Sequence, residues 1–125
     1  MRKIYKSLGF ALAGLIHATI EERNIRLFFG GEFVAIVILT RVQASMMGWI
    51  FVLLTGALFL ITELLNTALE RLADTLHDCE KCNHGTHYHV GIKHTKDVGA
   101  AASLIALTLH SVIILGIILT TNIAS

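Results

Sequence analysis

Two long apolar segments without charge limit what this chain can fold into. No Asp, Glu, Lys or Arg occurs between Ser45 and Thr62 or between Val98 and Ser125. A helix needs about 20 mostly apolar residues to cross roughly 30 Å of hydrocarbon, so residues 98–121 are long enough to span a membrane. Only 15% of the residues are charged, which is too few to cover the surface of a soluble domain. The sequence therefore predicts an integral membrane protein.

Apolar spacing divides the chain into four predicted helices. Apolar side chains recur at three- and four-residue intervals over residues 3–21, which predicts an amphipathic helix on the membrane surface. They are Ile4, Leu8, Leu12, Leu15 and Ile16. Three spans are expected at about 27–42, 46–69 and 98–121, with a polar connection between the last two from Arg71 to Thr95. Without Pro or an internal repeat, we expect one all-α membrane domain over residues 1–125.

Lys and Arg residues lie almost entirely on one predicted side of the membrane. They precede the first span or lie between the second and third spans: Arg2, Lys3, Lys6, Arg23, Arg26, Arg71, Lys81, Lys93 and Lys96. Arg41 alone lies on the other side. Because loops rich in these residues stay in the cytoplasm, we expect an inner-membrane protein with its N-terminus inside and its C-terminus outside.

Four polar residues at the end of the second span share one helical stripe. At about 100° per residue, Glu63, Asn66, Glu70 and Asp74 lie at about 0°, 300°, 340° and 20° around the helix axis. Carboxylates in or near hydrocarbon are costly and usually mark a functional path. Three of them on one stripe would repel each other unless a cation lay among them, and such oxygen ligands suit Mg²⁺. The competing interpretation for Glu70 and Asp74 is a solvated helix face.

Further charged residues are expected at the same membrane level. The third span begins with Lys96 and Asp97, on the side where the stripe leaves the membrane, and Glu22 ends the surface helix there. A Lys among carboxylates at this interface is consistent with a polyphosphate site. Lys96 as a simple interfacial anchor is the alternative.

These residues together resemble the signature of the prokaryotic diacylglycerol kinase family, which includes undecaprenol kinases. The matching strings are Glu63-x-x-Asn66-Thr67-Ala68-x-Glu70-x-x-x-Asp74, then Lys96-Asp97 followed by Gly99-Ala100-Ala101-Ala102, with Glu22-Arg23-Asn24-Ile25-Arg26 upstream. The resemblance implies a homotrimer with three transmembrane helices per subunit and sites shared between neighbours. It also implies ATP as the phosphate donor.

The resemblance also implies roles for individual residues. Glu63 would be the catalytic base, and Glu22 and Glu70 would hold the Mg²⁺ that is bound to ATP. Nucleotide contacts would come from Lys3, Tyr88, His89, Lys96 and Asp97, with Asn66 and Asp74 supporting the site. No phosphate-binding Gly-rich loop is present in the sequence, so carboxylate-held metal and Lys96 would carry the phosphates.

A stretch rich in Cys and His lies between Asp74 and Lys96 and looks longer than the family's usual connection. Cys79 and Cys82 with nearby His residues could hold Zn²⁺. We favour the alternative, a solvated tether with reduced thiols, because a zinc site usually needs a folded knuckle and these ligands are unusually crowded. A disulfide is not expected either, because cytoplasmic cysteines seldom form one. Glu32 and His110 lie within predicted spans, and the sequence assigns neither a role.

The predicted function is phosphorylation of a lipid alcohol by ATP at the cytoplasmic face, with the lipid, ATP, the membrane and sister subunits as partners and no nucleic acid. Diacylglycerol and undecaprenol both remain open as substrates, because apolar pocket walls discriminate weakly. The first alternative is a small membrane metal-binding or metal-transport protein that uses the Cys/His segment with Glu32 and His110. The second is an inactive membrane adaptor.

Overall fold

The computed structural model describes residues 2–84 and 90–124, and the side chains of residues 3–79 and 90–121. Every element in these ranges is an α-helix. Helix α1 runs from Arg2 to Glu21, α2 from Arg23 to Arg41, α3 from Met46 to His84 and α4 from Val90 to Ala124. The all-helical architecture expected from the sequence is confirmed for the described part of the chain.

Helices α1 and α2 are separated by the single residue Glu22. Its extended backbone, with φ −85° and ψ 116°, interrupts the helix, so α2 takes a new direction. The guanidinium of Arg26 donates to the carbonyl of Ile20 across this break. The apolar residues that predicted a surface helix, Ile4 and Leu8 among them, are exposed along α1. Such a face is suited to lie against lipid.

Helices α3 and α4 form a long antiparallel hairpin, and α2 packs across it. Phe28 of α2 lies against Phe59 of α3, with ring centroids 4.6 Å apart, and Ala106 of α4 completes this small apolar core. Nearer the α2–α3 turn, a Cβ on Gly48 would lie 3.4 Å from Ile117. Small residues at such positions allow two helices to approach closely. The hairpin thereby sets the register that places the polar residues of α3 opposite α4.

Two of the described helices are long and apolar enough to cross a membrane, over Met46–Cys79 and Val90–Thr121. Most residues in both segments are exposed, including large apolar side chains such as Leu53 and Ile105. A soluble protein would bury such side chains. Helix α2 has 19 residues and is about 28 Å long, but it carries Glu32 and three Arg residues. The third span expected at about residues 27–42 therefore stays a prediction.

The expected polar connection from Arg71 to Thr95 is helical at both described ends. Helix α3 continues past Leu69 to His84, and α4 begins already at Val90. Residues 70–84 are polar but contain neither Gly nor Pro, so nothing in them ends the helix. Polarity marks where the helix leaves the membrane, not where it stops.

Candidate active site

The polar stripe of α3 is formed as its spacing predicts, and its inner end is buried. Glu63 is 3% exposed and Asn66 is also buried, whereas Glu70 is partly exposed and Asp74 is exposed. The side-chain amide of Asn24, in the first turn of α2, donates to Oε1 of Glu63 at 2.8 Å. The stripe therefore descends from an exposed end to a buried carboxylate that is fixed by a second helix.

Asn66 occupies the centre of the stripe. Its Nδ2 donates to Oε1 of Glu70 at 3.2 Å, while its buried Oδ1 has no hydrogen-bond partner among the described residues. Gly99 of α4 lies directly opposite, and a Cβ there would collide with Oδ1. A buried acceptor without a partner is costly, so this oxygen is positioned to receive a donor from a ligand or water.

The exposed end of the stripe faces α4. Nζ of Lys96 donates to Oδ1 of Asp74 at 2.7 Å, which joins the two helices near the end of the hairpin. Asp97 follows on α4 and is exposed. The structure thus brings Lys96 to the stripe through Asp74, a residue for which the resemblance implies only a supporting role.

Glu22 is brought to the same segment of α3 by an arginine. Nη2 of Arg71 lies 2.8 Å from Oε2 of Glu21 and 3.5 Å from Oε1 of Glu22. Arg71 directly follows Glu70, so Glu22 lies near the turn of α3 that carries Glu70. Two carboxylates match Mg²⁺, which takes one or two from protein and completes its coordination with phosphate oxygens and water.

A cavity of about 570 Å³ connects these groups to the interior of the hairpin. Glu63, Asn66 and Glu70 line one end, and Glu32 and His110 line another. Apolar side chains form the walls between them: Leu27, Phe28, Phe59, Leu104 and Leu107. An apolar chamber with a buried carboxylate can accept a molecule that is mostly hydrocarbon and has a polar head.

One predicted site residue is far from the stripe within the described residues of one chain, and two others lie outside those residues. Lys3 is 18 positions before Glu21 on α1, which is about 27 Å along a helix. Tyr88 and His89 lie outside the described residues. They stay predictions.

The structure also shows contacts that sequence reasoning missed. Asn24 contacts the proposed base, and Arg71 contacts a proposed metal ligand. Asn24 lies within the upstream string that carries the family resemblance, but nothing local indicated its partner. Glu32 and His110 are unusual as ionisable residues within predicted spans, and the structure pairs them with each other at 2.8 Å.

Zinc binding is not supported. No group of three or more His, Cys, Asp or Glu side chains that could hold a metal ion occurs in the part of the chain that the structure describes. Cys79 is a free, exposed thiol on α3. The side chain of Cys82 and residues 85–89 lie outside the part of the chain that the structure describes.

Comparison with known proteins agrees with the geometry. Residues 9–119 match the family model described as prokaryotic diacylglycerol kinase, and this chain belongs to that family. A diacylglycerol kinase of Helicobacter pylori is 28% identical over 112 residues, covering 90% of this chain and 81% of the relative. A diacylglycerol kinase of Escherichia coli (strain K12) is 30% identical over 105 residues, covering 84% and 80%.

Family membership confirms the resemblance and makes the chain a membrane lipid kinase, for which ATP is the implied phosphate donor. Metal transport is correspondingly disfavoured. Glu32 and His110 bind each other, and no group of residues that could hold a metal ion occurs among the described residues.

Proposed function

We propose that this chain transfers the terminal phosphoryl group of ATP to a lipid hydroxyl, with Glu63 as the general base. The observation that carries this proposal is a carboxylate that is 3% exposed, lines an apolar cavity and is held by Asn24 through one oxygen. Its other oxygen is the one we assign to the hydroxyl proton. Removing that proton as the lipid oxygen attacks phosphorus raises the nucleophilicity of the hydroxyl.

The nucleotide occupies the exposed end of the stripe in this proposal. Glu22 and Glu70 hold Mg²⁺, which when bound neutralises charge on the phosphates. Lys96 and Asp97 contact the nucleotide, while Asn66 and Asp74 position these groups. Support comes from the hydrogen bonds of Asn66 to Glu70 and of Lys96 to Asp74. Phosphoryl transfer depends mostly on such positioning and charge neutralisation.

The functional unit in this proposal is a homotrimer in the inner membrane, with α2, α3 and α4 of each subunit as spans. Large apolar side chains remain exposed on α3 and α4 of the single chain, and subunit contact or lipid would cover them. Lys3 would reach a nucleotide only in a neighbouring subunit, because α1 carries it away from its own stripe. The N-terminus is cytoplasmic and the C-terminus outside. Tyr88 and His89 join the nucleotide site from the connection before α4.

The substrate is diacylglycerol or undecaprenol. The apolar walls of the cavity accept either hydrocarbon, and the relatives' names favour diacylglycerol. Both lipids, offered with ATP to the purified protein in the same detergent, give the relative kcat/KM that decides between them.

Glu63→Gln tests the base assignment. Loss of a general base costs about 10²–10⁴-fold in rate, so we expect kcat to fall within that range while the protein still purifies as the same oligomer. Asp78→Asn is the matched control, because it makes the same chemical change at an exposed position on α3. Wild-type turnover of Glu63→Gln at saturating ATP and lipid would reject the base assignment.

A further inference from the structure

A chain of polar side chains links α2, α3 and α4 beside the cavity, away from the proposed chemistry. Oε2 of Glu32 on α2 lies 2.8 Å from Nε2 of His110 on α4, and Nδ1 of His110 lies 2.9 Å from Oγ1 of Thr55 on α3. The side chains of His110 and Glu32 are 5% and 16% exposed, and Thr55 is buried.

Two arrangements of donors and acceptors fit these contacts. When Oγ1 of Thr55 donates to the carbonyl of Phe51 at 2.8 Å, it accepts from Nδ1–H of His110; when it donates to Nδ1, Nε2–H of His110 donates to Glu32. In either arrangement both ring nitrogens of His110 and the carboxylate of Glu32 have a hydrogen-bond partner, which offsets the cost of burying these polar groups.

The same helix that carries Glu32 also carries Asn24, the partner of Glu63. The two residues are eight positions apart on α2, which is about 12 Å along the helix axis. Phe28 lies between them and packs against Phe59 and His110, with centroids 4.6 and 5.5 Å away. A shift of α2 would break the buried pair and would at the same time withdraw Asn24 from Glu63.

We propose that the Glu32–His110–Thr55 chain is a positioning device that fixes α2 on the hairpin and so holds Asn24 against the carboxylate of Glu63. This inference rests on the proposed role of Glu63. These three residues touch no reacting atom and act through Asn24. A displacement of about 1 Å at a reacting group can cost about 100-fold in rate, so losing a contact two helical turns away can lower kcat.

The kinetic signature separates positioning from general stability. Glu32→Ala and His110→Ala should each lower kcat by about ten- to 100-fold with the KM for ATP unchanged. Glu32→Gln should retain most of the activity, because its side-chain amide can donate to Nε2 or accept from it, so the contact survives with either tautomer of His110. Ser111→Ala is the matched control, since Ser111 lines the same cavity beside His110 but bonds only to the carbonyl of Leu107 among the contacts described.

A double-mutant cycle with Asn24→Ala tests the route of the effect. If Glu32 acts through Asn24, the double variant should be no slower than the worse single variant, because contacts in one path are not additive. Independent, multiplying losses would overturn the proposal, and so would a wild-type kcat in Glu32→Ala. If the alanine variants do not fold, Thr55→Val with Asn24→Ala supplies the same cycle. If Glu63→Gln keeps wild-type activity, the assignment of Glu63 as the base is wrong. That result is distinct from the outcomes above, which test the contact between Glu32 and His110.

Discussion

Gly99 is the position where the smallest change should have a large effect on the site. A Cβ on Gly99 would collide with Oδ1 of Asn66 and would lie 3.5 Å from its Cγ and 3.7 Å from its Cα. The distances to Cγ and Cα are ordinary van der Waals contacts, so the collision is with the amide oxygen alone. In Gly99→Ala, the Asn66 side chain must therefore turn away, or the two helices must separate.

The cost can be estimated from the contacts that either response breaks. Separating the helices is overpacking, which costs about 1–3 kcal/mol. Turning Asn66 breaks its 3.2 Å hydrogen bond to Glu70, and a hydrogen bond to a charged group is worth about 1.5–3 kcal/mol. If a cost of about 1.5–3 kcal/mol falls on the transition state, kcat/KM decreases by about 10- to 150-fold.

The assay is ATP-dependent phosphorylation of the preferred lipid by purified protein, with thermal unfolding measured in parallel. Gly91→Ala and Gly116→Ala are matched controls, because a Cβ at either position of α4 meets nothing within 4 Å. The double variant Gly99→Ala with Asn66→Ala should recover thermal stability but not activity. A Gly99→Ala protein that matches both controls in rate and melting temperature would refute the role given to this packing.

Two further predictions concern the metal and the cysteines. Glu70→Ala and Glu22→Ala should raise the apparent KM for Mg-ATP more than that for lipid, which nucleotide titration at fixed lipid would show; unchanged values in both variants would contradict the ligand assignment. Replacing Cys79 and Cys82 with Ser should change unfolding free energy by no more than about 0.5 kcal/mol and leave turnover unaltered. About one Zn²⁺ per chain in tag-free protein, lost together with stability on chelation, would show that the tether interpretation is wrong.

Features that depend on local spacing could be predicted from the sequence. The stripe from Glu63 to Asp74 follows from helical periodicity alone, and the apolar segments follow from composition. The helical continuation beyond Leu69 differs from the expected connection because a change to polar residues does not by itself end a helix. A helix ends at helix-breaking residues such as Gly and Pro, and residues 70–84 contain neither.

Partners across helices could not be predicted in the same way. Asn24 and Glu63 are 39 positions apart, and Glu32 and His110 are 78 apart. Which residues meet depends on the register of α3 against α4 and on where α2 crosses them. That register is set by contacts such as Gly99 against Asn66, which are visible only after the helices are packed.

Helix α3 is long enough that the two ends of its hairpin with α4 differ in their access to water. With 39 residues it is about 58 Å long, nearly twice the roughly 30 Å of hydrocarbon in a bilayer. The Lys96–Asp74 ion pair has side chains 31% and 63% exposed, whereas the Glu32–His110 pair has almost no access to water. Dissolved ions weaken interactions between exposed charges but reach buried pairs much less. Raising ionic strength would therefore weaken the Lys96–Asp74 pair while the Glu32–His110 pair keeps its strength.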